Sequence, residues 1–486
     1  MIATTEFSKR DLEQLEAAGI GISVQEAEQQ LELLSQPPDF LELAKPCTTR
    51  DGIVQLNDEA LQTLIQKHRE SVVEGRWTKF VPASGAASRM FVVKKEEDKR
   101  KLCQRWQDLA FADALADFLG QTNDVDYEGL EAAMLGGLGL DKVPKGLIPF
   151  HRYDDSSRVP FEEHLLEAST SFCDRDKKCS VHFTVSEEHQ GRFEELLKEV
   201  QDRHPDVTFD VTFSIQKPST NTLALSESGP VRKNNGSLVL RPGGHGALIE
   251  NVEDVNADCV FIKNIDNVTH ESQAAENGKW IEALCGYLVS FQAQIHEHLQ
   301  RLDSDRSESS IAAAEQFVSD AFPGQSIQID ATDAERYKRV YGILNRPVRI
   351  CGMVQNEGEP GGGPFWQRHE DGSLSVQIVE SVEVNDEDKQ QAAIASDATH
   401  FNPVFMALGL RDHRGDAFSL ADYIDTDRYI LNQKVVEDVD ATILERPGLW
   451  NGSMGKWNSV FVEVPIAVFN PVKSVIDLLR PAHQPT

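Results

Sequence analysis

The stretch "KFVPASGAASRMF", residues 79–91, joins a short apolar run to a loop of small residues. Residues 79–82 are typical of a buried strand, and the loop offers little more than backbone until Arg89. Met90 and Phe91 then supply apolar anchors, so the pattern predicts a strand, a loop and the start of a helix. Such a loop can present backbone N–H groups to a phosphate, with Arg89 as a charged fork. A structural tight turn explains the same residues.

Length and charge limit the classes of protein that this chain can represent. With 486 residues it is long enough for two or three structural units. A formal net charge of -31 argues against a nonspecific nucleic-acid binder, because phosphate backbones require a basic surface. An anionic substrate would need local lysines and arginines, or a divalent cation, to overcome this overall charge.

Cysteine usage and hydropathy indicate the compartment. The seven cysteines are scattered and form no C-x-x-C pair, which argues against a disulfide framework or a zinc knuckle. The N-terminus has no basic, apolar signal stretch, and no run of eighteen apolar residues occurs. We therefore expect a soluble, unanchored protein of the cytoplasm with no membrane partner, and the sequence leaves its oligomeric state open.

Alternating strand and helix patterns predict the α/β class, with a mostly parallel or mixed sheet, helices on both faces and an N-terminal helical extension. Further strands are predicted at 180–185, 207–213, 237–240 and 259–263, and helices at 161–172, 191–200 and 278–299. The predicted units are an N-terminal helical region (1–75), a nucleotide-binding α/β core (76–300) with a helical insertion (95–140), and a C-terminal part (301–486) that completes the sheet and the acceptor site.

Three further stretches carry residues suited to phosphate chemistry. Pro144, Lys145 and Gly146 precede an apolar run, and "RPGGHG" at 241–246 forms a second glycine-rich turn. The run "FIKNIDN" at 261–267 ends a buried strand in a carboxylate. In this order, the stretches resemble the nucleotidyltransferase superfamily with a glycosyltransferase-A-type fold, particularly its UDP-sugar pyrophosphorylase branch. They are also similar to a bacterial family of unknown function.

The resemblance implies a role for each matching residue. It makes Arg89 and Lys145 the catalytic cations and Asp266 the ligand of a Mg²⁺ cofactor. Two later stretches resemble acceptor-binding segments and imply that Glu380 and Lys473 contact the acceptor. The implied nucleotide-binding residues are Ala83, Ser84, Gly85, Ala86, Ala87, Ser88, Gly244, His245 and Gly246.

Two departures from the family pattern accompany these matches. The segment between Arg89 and Lys145 is far longer than the family's usual gap, so an inserted helical segment must loop out and return. The first loop also carries alanines where the family has glycines. Ordinary structural roles fit some of the residues too: His245 as a turn residue, Asp266 as a turn cap and Glu380 as a solvated strand residue.

The implied function is metal-dependent transfer of a nucleoside monophosphate from a nucleoside triphosphate to a phosphorylated acceptor, a sugar phosphate, with release of pyrophosphate. Fixed cations and a metal ion suit this chemistry, because the reaction gathers negative charge at phosphorus. One alternative is a glycosyltransferase that uses a nucleotide sugar, although the D-x-D triplets of this chain follow polar or helix-like sequence. Another is a non-catalytic nucleotide-binding protein.

Overall fold

A computed structural model describes residues 7–17, 19, 21–85, 87–120, 125–154, 156–325, 331–358 and 361–485. Within these ranges the chain forms thirteen α-helices: α1 Lys9–Leu15, α2 Val24–Ser35, α3 Asp58–Val72, α4 Glu96–Arg105, α5 Ala112–Leu119, α6 Tyr127–Ala132, α7 Pro160–Ser171, α8 Gln190–Arg203, α9 Ile249–Asp254, α10 Ala274–Ser304, α11 Glu308–Ala321, α12 Asp333–Leu344 and α13 Lys389–Ser396.

The strands of the same ranges are short, as is usual for sheets in globular proteins. They are β1 Leu43–Pro46, β2 Ile53–Val54, β3 Trp77–Pro82, β4 His151–Tyr153, β5 Ser156–Arg158, β6 Lys178–Thr184, β7 Thr208–Ser214, β8 Ala224–Ser226, β9 Gly229–Pro230, β10 Cys259–Lys263, β11 Val348–Gln355, β12 Gly363–Arg368, β13 Leu374–Val379, β14 His400–Phe401, β15 Phe405–Gly409, β16 Ile430–Val436, β17 Val439–Glu445 and β18 Asn458–Glu463.

A central sheet organises the molecule, with strand order β2-β18-β11-β15-β10-β3-β6-β7. Neighbours pair in parallel except at β15, which runs antiparallel to both β10 and β11. The predicted α/β class with a mostly parallel sheet is therefore confirmed. Strands β11, β15 and β18 come from the C-terminal part of the chain, so both halves build one sheet.

Side chains alternate between the two faces of this sheet, which is the basic property of a strand. In β10, Phe261 packs with α7, α8 and α10 in the main apolar core. Its neighbours Val260 and Ile262 face the other side, against the start of α9 and the tryptophans Trp366 and Trp457. Helices therefore cover one face, while α9 and the small sheet β1-β12-β13 cover the other.

Of the further predicted strands, the one at 237–240 is wrong. Leu238 makes only an isolated bridge to Arg232, outside any strand. The Gln14 side chain forms hydrogen bonds with both backbone groups of Leu238. It accepts from the Leu238 N–H at 2.6 Å and donates to the Leu238 carbonyl at 3.1 Å. The residue is buried against α1 and α2, so its apolar character reflects tertiary packing rather than sheet pairing.

The N-terminal region carries three helices, in agreement with the predicted helical extension, and two short strands in addition. It contains α1, α2 and α3, but also β1, which pairs with β12, and β2, which pairs with β18 at the edge of the central sheet. No helix in the described part of the chain is long and apolar enough to cross a membrane.

The helix predicted to start after the small-residue loop is also wrong. Residues 87–91 form turns, and the next helix begins only at Glu96. Met90 and Phe91 are fully buried in a second apolar core with Leu102 and Trp106, residues that belong to the 95–140 segment. The turn therefore inserts these two side chains into the second core, and α4 does not begin at the loop.

Candidate functional site

The carboxyl ends of the parallel strands β3 and β10 bring two of the predicted stretches together. The loop at 83–89 follows β3, and residues 264–267 follow its neighbour β10. A backbone hydrogen bond from Ile265 N–H to the Pro82 carbonyl, 3.3 Å long, joins the two chain segments. Ligands of open α/β sheets commonly bind at this edge.

Asp266 is the centre of a charged cluster at this edge. Its Oδ2 atom accepts hydrogen bonds from Lys145 Nζ at 2.8 Å and from Lys473 Nζ at 3.1 Å. Lys145 Nζ also donates to the Val472 carbonyl at 2.7 Å. Burial by itself raises the pKa of Asp266, but the two ammonium groups together lower it more, so the pKa lies below its usual value. Asp266 is therefore ionised at neutral pH.

The segment that carries Lys473 is fixed to the same turn by backbone and amide contacts. Asn267 accepts from the Asn470 N–H at 2.9 Å through its Oδ1 atom, and its Nδ2 donates to the Val468 carbonyl. The Val472 N–H donates to the Asp266 carbonyl at 3.0 Å. Asn267 thus holds the chain that delivers the second lysine, although sequence reasoning assigned it no role.

The small-residue loop lies beside this cluster. The Lys145 N–H donates to the Gly85 carbonyl at 3.4 Å. Ser84, Gly85, Ser88 and Arg89 are exposed, whereas Ala83 and Ala87 are fully buried core residues. Ala86 lies outside the described residues. The predicted loop therefore divides into residues that pack inward and residues that can meet a ligand.

Gly85 and Arg89 are two of the exposed loop residues. A Cβ atom built on Gly85 meets no described atom within 4 Å, and its φ is not in the left-handed region. Neither packing nor backbone angle therefore explains this glycine. The exposed Arg89 side chain has no hydrogen bond or ion pair with the part of the chain that the structure describes.

The second glycine-rich turn, residues 241–246, is closely packed against another segment of the chain. A Cβ atom on Gly246 would lie 2.0 Å from the Pro447 carbonyl oxygen, so the chain's own backbone occupies this space. Gly244 has a φ of 80°, a conformation that favours glycine. The absence of side chains at Gly246 therefore follows from backbone packing, and contact with a nucleoside is not needed to explain it.

His245 and Glu380, predicted for the nucleoside and for the acceptor, are neighbours. His245 stacks on Trp450 with ring centroids 4.2 Å apart, and its Nδ1 accepts from the Leu449 N–H at 3.0 Å. Its Nε2 lies 3.9 Å from Glu380 Oε1. Burial lowers the pKa of His245, and the nearby carboxylates, Glu380 first, oppose that shift only in part. The imidazole is therefore neutral at pH 7.

A chain of contacts relates this pair to the charged cluster. Gly362 lies beside Glu380 and its carbonyl accepts from the Asn402 N–H at 2.8 Å. The adjacent Phe401 packs edge-to-face on Phe469, 4.9 Å between centroids, at the start of the segment that ends in Lys473. Lys473 itself stands next to Asp266 and not next to Glu380, with which it was grouped as an acceptor contact.

Four polar residues beneath the cluster, three of them buried and Glu167 mostly so, were not predicted as site residues. Lys79 of β3 and Lys263 of β10 both form ion pairs with Glu167 of α7. His164, one turn earlier on α7, lies with Nε2 at 3.2 Å from the Asn264 carbonyl and 3.3 Å from the Ile265 carbonyl.

These residues support the Asp266 turn from the sheet side. Burial lowers the pKa of Lys79 to about 8, although Glu167 opposes this shift. Burial also keeps the pKa of His164 well below its usual value, so the ring is neutral and its Nε2–H donates to the turn. The available sequence signal was a lysine in each of two mostly apolar strands, β3 and β10.

The residues at this edge fit a metal ion that takes most of its ligands from phosphate and water. Asp266 Oδ1 is buried and has no hydrogen-bond partner among the described residues, so one carboxylate oxygen remains free. No group of three or more His, Cys, Asp or Glu side chains within the described ranges could hold a metal ion by itself. Mg²⁺ commonly binds through one or two carboxylates plus substrate phosphates.

Three solved structures similar to this chain carry the names of UDP-sugar pyrophosphorylases or a phosphorylase. UDP-N-acetylglucosamine pyrophosphorylase from Trypanosoma brucei, in complex with an inhibitor, is 12% identical with a TM-score of 0.47, covering 93% of this chain and 74% of its own. UDP-glucose phosphorylase from Trypanosoma brucei is 12% identical with a TM-score of 0.48, covering 98% and 80%. UDP-glucose pyrophosphorylase from Leishmania major is 11% identical with a TM-score of 0.44, covering 98% and 79%.

No curated protein matches this chain. A family described as "Domain of unknown function (DUF4301)" matches residues 8–484, which is nearly the whole sequence. The resemblance to a family of unknown function is thereby confirmed, and the chain belongs to the DUF4301 family.

Proposed function

We propose that this protein is a nucleotidyltransferase that transfers a nucleoside monophosphate from a nucleoside triphosphate to a phosphorylated acceptor, a sugar phosphate, and releases pyrophosphate. The observation that carries the proposal is the convergence of Lys145, Asp266 and Lys473 beside the open loop at Gly85. These residues are far apart in the sequence. They meet at the carboxyl edge of parallel strands, where α/β proteins bind ligands.

In this proposal the lysines and Arg89 hold the phosphates. Lys145 is only 15% exposed, so its charge acts in a partly desolvated place where it attracts an anion more strongly than in water. Lys473 is 62% exposed and can turn toward an incoming phosphate. Together the cations stabilise the negative charge that develops on the transferred phosphoryl group, and they align it for attack.

Asp266 has two roles in the proposed reaction. In the free protein it is the counter-ion of both lysines, which keeps their ammonium groups in place before substrate arrives. Its free oxygen, Oδ1, would hold Mg²⁺, which when bound supplies Lewis-acid polarisation of a phosphate oxygen. No general base is required of the protein, because a sugar phosphate is already an anionic nucleophile at neutral pH.

Pyrophosphate release tests this proposal directly. The purified protein is incubated with Mg²⁺, each nucleoside triphosphate and a panel of sugar phosphates, and Lys145→Gln is compared with the parent. We expect the substitution to lower the rate about a hundredfold or more, as for other fixed charges at a transition state. Lys142→Gln is the matched control, since Lys142 is an exposed lysine only three residues away.

Two results would contradict the proposal. One is the absence of pyrophosphate release by the parent with every triphosphate and acceptor. The other is equal turnover of the parent and Lys145→Gln, provided that their melting temperatures agree.

A further inference from the structure

A cavity of about 480 Å³ lies away from the candidate site. Its wall includes β2 at the sheet edge, the amino end of β18 and part of β13. Strands β10 and β18 run in the same direction, because β15 is antiparallel to both β10 and β11, and β11 is parallel to β18. Asp266 lies beyond the carboxyl end of β10, so it is at the opposite edge of the sheet from the amino end of β18. The volume is within the range of about 300–1,000 Å³ that is usual for small-molecule sites.

The wall of this cavity carries an excess of unpaired positive charge. Arg50, Arg346 and Lys456 line it, and none of them forms an ion pair with a described residue. Of the two carboxylates in the wall, Asp51 is already paired with Lys45, which leaves only Asp320. In a chain with a net charge of -31, three such cations around one cavity favour an anion there.

Arg346 is the cation that the cavity encloses most. It is half-buried, and its Nε–H donates to the Gly342 carbonyl at 2.9 Å. Its two terminal nitrogens have no hydrogen-bond partner in the described ranges. Burial lowers the pKa of Arg346, which reflects a desolvated charge without a carboxylate beside it. Such a charge is costly unless a ligand pairs with it.

Two tryptophans belong to the apolar part of the wall, together with residues such as Phe322 and Phe461. Trp366 and Trp457 line the cavity and are 5% and 4% exposed. Neither indole N–H has a hydrogen-bond partner among the residues that the structure describes, which is uncommon for buried polar groups. Indole rings bind flat apolar groups by stacking and keep one donor for a polar atom.

We propose that this cavity binds an aromatic anion, in which a planar ring packs against Trp366 and Trp457 while a phosphate or carboxylate pairs with Arg346. A guanidinium group suits either anion, because its N–H groups form two parallel hydrogen bonds to a pair of oxygens. The inference is independent of the proposed function, since it uses none of the residues near Asp266.

Calorimetric titration with phenyl phosphate and with benzoate tests the site and separates the two anion classes. We expect one of these probes to bind the parent, and Arg346→Gln to weaken its binding at least tenfold. Arg100→Gln is the matched control, because Arg100 also donates its Nε–H to the carbonyl four residues earlier, on the exposed helix α4. That variant should bind like the parent.

A second substitution keeps the test valid if Arg346→Gln does not fold. Lys456 is exposed, so Lys456→Gln should keep the parent's melting temperature and weaken binding about threefold. Neutral phenol and inorganic phosphate, titrated separately, should each bind less tightly than the combined probe. The proposal is overturned if neither aromatic anion binds, if Arg346→Gln and Lys456→Gln bind like the parent, or if binding is instead lost in Lys145→Gln.

Discussion

Two loops of this molecule are rich in small residues, 83–89 around Gly85 and 241–246 around Gly246, and they differ in what surrounds them. At Gly246 the chain's own backbone fills the space of a side chain, with the Pro447 carbonyl oxygen 2.0 Å from a built Cβ. At Gly85 no described atom comes within 4 Å. A loop without side chains can therefore mean that the protein packs there, or that the protein leaves room there. Only the second case supports a ligand site.

The same contrast extends to the neighbouring charges. Around Gly85 lie two cations, Lys145 and Arg89, and Arg89 has no ion pair with a residue that the structure describes. Beside Gly246 stand a neutral His245 and Glu380, which offer hydrogen bonds to an uncharged or sugar-like group. The two loops thus differ in both space and charge, and each difference can be tested by substitution.

The largest effect is expected from Gly246→Ala. The added methyl group overlaps the backbone of Pro447, which cannot rotate away as a side chain can, so the loop must shift. We expect the free energy of unfolding to fall by about 3 kcal/mol, the upper end of the usual range for overpacking. Urea unfolding followed by circular dichroism measures this change.

Gly85→Ala is the control for that measurement. Its methyl group meets open space, and we expect a change of less than about 0.5 kcal/mol, as for surface substitutions generally. Equal stability losses in the two variants would remove the distinction between the loops.

The next effect is expected from Gly85→Val, on binding rather than on stability. If a triphosphate lies against this loop, the valine occupies its space, and calorimetry with Mg²⁺ should show affinity for nucleoside triphosphate reduced at least tenfold, or about 1.4 kcal/mol. Gly342→Val serves as the matched control, because Gly342 also faces open space, on helix α12 beside Arg346 and away from the Asp266 turn. Unchanged affinity in Gly85→Val would make the first loop a tight turn only.

The smallest effect is expected from Glu380→Gln. Glu380 is the first of the carboxylates that raise the pKa of His245 against burial, so its neutralisation should lower that pKa further. An NMR titration of the His245 ring measures the shift, and a rise would contradict the 3.9 Å contact. Stability should change by about 0.5 kcal/mol or less, because both side chains are partly exposed.

Local patterns predicted the central strands well, because their signal lies within a few residues. The strand Cys259–Lys263 agrees with its predicted bounds, since a strand that is buried on both faces shows a nearly continuous apolar run. The segment at 237–240 failed because Gln14, more than two hundred residues earlier, replaces its sheet partner. The helix expected at Met90 failed because that side chain belongs to a second core that no local pattern reveals.

The candidate site shows the same division. The residue types and order of Lys145, Asp266 and Lys473 were available from the sequence, and so was the resemblance that grouped them. Their mutual contacts were not, because pairings across hundreds of residues depend on the sheet order. The sequence also could not separate Ala87, which is core, from Ser88, which is exposed. The roles of these residues remain predictions that the experiments above address.

The contacts of Asp266 with Lys145 and Lys473 have a consequence for folding during synthesis on the ribosome. The two ion pairs span 121 and 207 residues, and the bond from Lys145 to the Val472 carbonyl spans 327. Synthesis proceeds from the N-terminus at about 5–20 residues per second, so Lys473 is added roughly ten seconds or more after Asp266. A nascent chain interrupted in that interval carries an incomplete charge cluster. The cluster of Lys145, Asp266 and Lys473 can therefore form only after synthesis has passed Lys473.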